Sequence, residues 1–239
     1  CFDILTKYQR SKFGPWWLTL NTSLVIILLS SIWPNILGTD STFFISYFSI
    51  GFIIWIWISI SITETALSFI ELESILKEMK IPLSTLVSRV TLRNFFLFLH
   101  NIPIIIFVAY YFDLSVNISD VFFHTLPSVV LIFLSLNFCG IVFAILSSRY
   151  RDILSIITTV MQLLFFVTPI MWHPDMLPRS TVLIDYNIIN FWIASIRQPL
   201  LGQALPDNTL LVIFIFCIFV FLLSIVLLGK YKNKVILWL

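Results

Sequence analysis

The chain has 239 residues, 59% hydrophobic and only 11% charged, with a net charge of +2 and a mean hydropathy of +1.03. Soluble chains carry about 25% charged residues, so a water-wetted globular domain is excluded. So small a net charge offers no footing for nucleic acid.

In a bilayer this length accommodates about six helices of roughly 20 residues with short connections. The first residues, 1–15, are polar and hold Lys7, Arg10 and Lys12 ahead of the first apolar run. That pattern is not a cleavable signal peptide, and a start at Cys1 suggests a trimmed N-terminus. Apolar windows then fall at 16–37, 43–63, 95–112, 121–147, 153–172 and 209–229. They lack the strict alternation of barrel strands, so helices are expected. Cys139 and Cys217 lie inside these windows and read as small buried hydrophobes, not as a disulfide framework.

Between windows two and three, residues 64–93 mix charges with apolar residues. Phe69, Leu72, Ile75, Leu76 and Met79 recur at helical spacing, and Ile81-Pro82 breaks the run. Short amphipathic helices at a membrane surface are expected there. Residues 173–208 carry Pro174, Pro178, Pro199 and Pro206 and an apolar stretch, Ile188 to Ile196, too short to cross. A re-entrant or interfacial segment is expected.

Charge fixes the orientation. Lys7, Arg10, Lys12, Lys77, Lys80, Arg89, Arg93, Arg149, Arg151, Lys230, Lys232 and Lys234 fall on one side of a six-span chain; only Arg179 and Arg197 fall on the other. The positive-inside rule places both termini and the 64–93 loop in the cytoplasm. No Asp, Glu, Lys or Arg lies near the middle of any window, which argues against an ion-coupled carrier.

Reaction chemistry is missing. There is no G-x-x-x-x-G-K-[ST] phosphate loop, no H-E-x-x-H, no C-x-x-C and no G-x-S-x-G. His100, His124 and His173 are scattered, and His173-Pro174-Asp175 reads as a polar interfacial turn. No cofactor or metal is expected. Two windows do carry a polar-aromatic stripe. Trp16, Thr19, Ser23, Ser30 and Trp33 share one face of the first, and Ser155, Thr159, Gln162, Phe166 and Pro169 share one face of the fifth. Each stripe suits helix packing, or a conduit in which aromatics stack on sugar rings. No G-x-x-x-G pair offers a dimer seam.

Several strings resemble the membrane subunits of bacterial polysaccharide ABC exporters of the ABC-2 type, the Wzm-like family of O-antigen, capsule and teichoic-acid export. They are Tyr8-Gln9-Arg10-Ser11-Lys12-Phe13-Gly14-Pro15-Trp16-Trp17, Ile75-Leu76-Lys77 through Pro82, Arg93-Asn94, His100-Asn101 and Ser148-Arg149-Tyr150-Arg151-Asp152-Ile153. Phe165-Phe166-Val167-Thr168-Pro169-Ile170-Met171-Trp172, Arg197-Gln198-Pro199-Leu200-Leu201-Gly202 and Trp238-Leu239 follow in order.

The resemblance implies a single all-α transmembrane domain over 1–239 in the bacterial inner membrane. It would have six spans, an interfacial helix at 1–15, a coupling loop at 64–93 and an outer re-entrant segment at 173–208. It implies a homodimer bound to two copies of a separate cytoplasmic ABC ATPase, exporting a glycan carried on a polyprenyl diphosphate. In that family the first and fifth spans line the channel. This assigns Trp16, Thr19, Ser23, Ser30, Trp33, Ser155, Thr159, Gln162 and Phe166 to the substrate path, and Glu71, Glu73, Lys77 and Lys80 to ATPase coupling. An ABC-2 exporter of a drug or small lipid, and an integral-membrane enzyme of envelope synthesis, are the rival readings.

Overall fold

The computed structural model describes residues 16–78, 81–176, 184, 186–206 and 208–239. The expected interfacial helix at 1–15, and Lys80 with it, lie outside the described residues. Among the described residues there are helices and no strands. The long ones are α1 (Trp16–Leu37), α2 (Ser41–Glu71), α4 (Leu83–Tyr111), α5 (Ile118–Arg149, with a π-helical turn over Val121–Thr125) and α8 (Thr209–Trp238). Between them come the short α3 (Glu73–Glu78), α6 (Asp152–Val167) and α7 (Ile188–Leu200).

Five helices are long and apolar enough to cross a membrane. The expected fifth span, 153–172, is a 16-residue helix instead. At 1.5 Å per residue it reaches about 24 Å, against a hydrocarbon core of about 30 Å. The reason is local. Thr168 precedes Pro169, whose ring forces it out of helical geometry, and its backbone is extended at φ −77°, ψ 134°. Pro169 therefore does not continue the stripe of the fifth window.

The helices also overrun the apolar windows. α2 continues to Glu71 and α4 begins at Leu83, so only residues 72–82 separate them. Most of the expected 64–93 loop is helix, because backbone hydrogen bonding continues into polar sequence that a hydropathy window discards. Arg93 and Glu64 face each other across these extensions, Nη2 to Oε2 at 2.7 Å. α3 is anchored by buried Leu76, in a second apolar cluster with Phe69, Leu83, Ile141, Ile145 and Val235. Arg149 lies over the Trp238 ring at the same end.

α2 is the central helix, packed against α1, α4, α5, α6 and α7. Most of its buried hydroxyls find a partner one turn back, where water is absent; that of Ser61 has none. Ser46 donates to the Thr42 carbonyl (3.0 Å), Thr65 to Ser61 (2.6 Å) and Ser68 to Thr65 (2.7 Å). Small side chains at these positions let neighbouring backbones approach, which is how helices associate without a hydrophobic driving force. Asp40 caps the helix, and Thr42 and the Phe43 N–H hold its carboxyl below the usual carboxylate range.

Candidate functional site

The two stripes meet different surroundings. α1 packs on α2 and α4, and its stripe is turned toward α4. The Trp16 and His100 rings lie 5.4 Å apart, and Thr19 donates to the His100 carbonyl at 3.1 Å. Ser23 donates to the Thr19 carbonyl (2.8 Å); Ser30 is buried, and its hydroxyl has no partner. Ser23 and Ser30 line an apolar groove of about 510 Å³ with Ile26, Pro103, Phe107 and Tyr111. Trp33 is half-buried against the main core.

α6 packs on α2 and α5 through Ile157, Met161 and Phe165, the last against Phe52 and Trp55. Its stripe points the other way. Ser155, Thr159 and Gln162 are exposed, and Phe166 is 71% exposed. Among the described residues nothing covers this face, which leaves the stripe open to a second copy, to lipid or to a passing substrate. α1 and α6 both flank α2.

Of the residues expected to couple to an ATPase, the three described ones lie at the junction of α2 and α3. Glu71 ends α2, while Glu73 and Lys77 form an exposed i,i+4 ion pair on α3. Lys77 holds the Glu73 carboxyl below its usual range.

At the opposite end is a cluster that composition and spacing did not single out. The bend after α6 is clamped by its own carbonyl. Pro169 accepts from Tyr47 Oη (3.1 Å) on α2 and from Arg197 Nη1 (2.8 Å) on α7. Asn187 donates to Thr168 Oγ1 (2.8 Å) and accepts from the Ile189 N–H (3.0 Å), so it caps α7 and pins it to the bend. Trp192 is fully buried and meets Phe216 edge-on at 5.6 Å. α7 is 13 residues long, too short to cross, and packs between α2, α5 and α8. The available signal was Arg197 itself, a basic residue in an apolar stretch on the side where basic residues are scarce.

The sequence profile of ABC-2 type transporters matches residues 2–201. This chain belongs to the ABC-2 type transporter family. Two proteins of Klebsiella pneumoniae, each described as "O-antigen export system permease protein RfbA", are 22% identical to this ABC-2 chain over 233 residues, 97% of it and 90% of the relative. A protein of Myxococcus xanthus with the same description is 23% identical over 181 residues, 75% of the chain and 66% of the relative.

Proposed function

We propose that this chain is the permease subunit of an exporter that moves a lipid-linked, O-antigen-like polysaccharide across the bacterial inner membrane. The observation that carries the reading is the likeness, over 97% of the chain, to proteins described as O-antigen export permeases. A homodimer works with two copies of a separate ABC ATPase, which supplies the hydrolysis this chain has no phosphate loop to perform. Both termini are cytoplasmic. α3 docks on the ATPase, and the basic end of the bundle, with Arg149, Arg93 and Lys77, is the inner end. Within the expected re-entrant segment 173–208, part of which lies outside the described residues, α7 re-enters from the outer side. α6 meets the substrate through Ser155, Thr159, Gln162 and Phe166, and α1 contributes Trp16, Thr19, Ser23, Ser30 and Trp33. Hydroxyls and an amide on one face replace water around sugar hydroxyls, and the aromatics stack on sugar rings.

The decisive experiment measures surface polysaccharide in cells that lack the chain and in cells complemented with it, alongside a catalytically dead ATPase partner. Export that returns with the chain, and only with an active ATPase, is the expected result. Unchanged surface glycan without the chain overturns the reading. A reporter after Lys234 reads cytoplasmic and one beside Asn117 reads external; the reverse overturns the orientation.

A further inference from the structure

Behind the clamped bend is a cavity of about 330 Å³, far from the basic end of the bundle. Thr209, which opens α8, lies on its wall, and the other end of α8 packs under Arg149. Tyr47, His173, Asn190, Arg197, Gln198 and Gln203 also line it. Arg197 is only 3% exposed, with its guanidinium carbon 3.7 Å from the centre of the Tyr47 ring. Among the described residues no carboxylate pairs with it. The Tyr47 ring face and the Pro169 carbonyl compensate the charge in part. Arg197 Nε still has no acceptor, and the buried Gln198 Oε1 has no donor.

A buried cation without a counter-ion is costly to keep. The two orphans specify what is missing. Nε–H lacks an anionic acceptor, and Gln198 Oε1 lacks a hydroxyl or amide donor. The volume is at the small end of ligand pockets, enough for one sugar unit with its charged group and far too small for a polymer. The planar fork of arginine suits a phosphate-type oxyanion.

We infer that this cavity binds a phosphate-type oxyanion joined to a sugar, with Arg197 taking the oxyanion and Gln198 a sugar hydroxyl. The inference rests on the glycan-export reading and names a subsite for it beyond the stripes of α1 and α6. Such a unit occurs at the diphosphate-linked end of a lipid-carried glycan, and also within a glycan bearing phosphate.

The test is binding to the purified full chain, followed by thermal shift and calorimetry. Glucose 1-phosphate raises the melting temperature of the wild type, and glucose at equal concentration does not. Arg197→Gln weakens glucose 1-phosphate by about tenfold or more. Gln203→Glu does the same by setting a like charge at the mouth, from an exposed loop position where folding is not at risk. Should Arg197→Gln fail to fold, Gln203→Glu decides alone. Farnesyl diphosphate separates the sources: tighter than glucose 1-phosphate, it points to the lipid-linked end, and weaker, to phosphate within the glycan. No response to glucose 1-phosphate overturns the inference, as does equal binding by wild type and Gln203→Glu. Because binding is read without export, lost binding with intact export sinks this subsite alone. Intact binding with no export sinks the broader function.

Discussion

Gly140 of α5 lies so close to Thr65 of α2 that a methyl group on it would be 2.7 Å from the Thr65 Cβ, and 2.9 Å from Val87 Cγ1 on α4. Three helices converge on this one missing side chain. Neither Thr65 nor Val87 can retreat, because both are fully buried and Thr65 is tied to the Ser61 carbonyl. Gly140→Ala therefore overpacks the junction at a cost of about 1–3 kcal/mol. Gly229 in α8 has open space around it. There Gly229→Ala gains the helix propensity that glycine lacks, about 0.5–1 kcal/mol. Thermal unfolding of the two purified variants should move in opposite directions, and a shared sign refutes the packing argument.

Gly202 ends α7 in a Schellman arrangement. Its φ is +69°, its N–H bonds the Pro199 carbonyl (3.3 Å), and the Gln203 N–H bonds the Gln198 carbonyl (2.9 Å). A Cβ there would lie 2.3 Å from Ser115 Oγ. Gly202→Ala combines left-handed strain with a collision, so it should lower the melting temperature. Gly202→Ala with Ser115→Gly should recover part of the loss. No recovery would assign the effect to backbone strain together with the Ser115 carbonyl oxygen, which would still lie 2.7 Å from the added Cβ.

On α3, Glu73 and Lys77 form an exposed pair of the kind worth about 0.3–0.5 kcal/mol. Glu73→Lys and Lys77→Glu each break it, and the double swap restores a pair with both charges inverted. If α3 docks on the ATPase, all three variants should lose co-purification with the partner and stimulated hydrolysis. If the pair serves only α3, the singles weaken and the swap recovers. Helix content by circular dichroism should change little in any of them, since α3 is held by buried Leu76.

The exposed face of α6 makes the conduit testable. Phe166 is 71% exposed, so Phe166→Ala does not carry the roughly 3–5 kcal/mol penalty of a buried aromatic and should stay within about 0.5 kcal/mol of wild type. Gln162→Leu should behave likewise. Both should lower surface polysaccharide per folded transporter at unchanged basal ATPase activity. Unaltered export in well-expressed variants would remove α6 from the path. Trp33→Ala is a poorer probe, because Trp33 also packs against the main core.

Hydropathy alone determined that the chain is helical and membrane-embedded, because both follow from local composition. The end of α6 is set locally, by the restriction that Pro169 places on Thr168, yet hydropathy carried the fifth window past it to 172. Nor did hydropathy determine the other helix extents. α2 and α4 run well into the polar 64–93 segment because packing of Phe69, Leu76 and Leu83 with Val235 of α8 keeps them helical there. Spacing put each stripe on one face of its helix, yet periodicity says nothing about which neighbour that face meets. Tertiary packing turned Thr19 and Ser30 toward α4 and left Gln162 and Phe166 uncovered. Arg197 shows the division most sharply. In sequence it is one cation among fourteen basic residues. Only the fold brings Tyr47, from a helix 150 residues earlier in the chain, and the Pro169 carbonyl around it. Solvation depends on what surrounds a group in three dimensions, so its burial, with no carboxylate paired to it among the described residues, was decided by the tertiary structure.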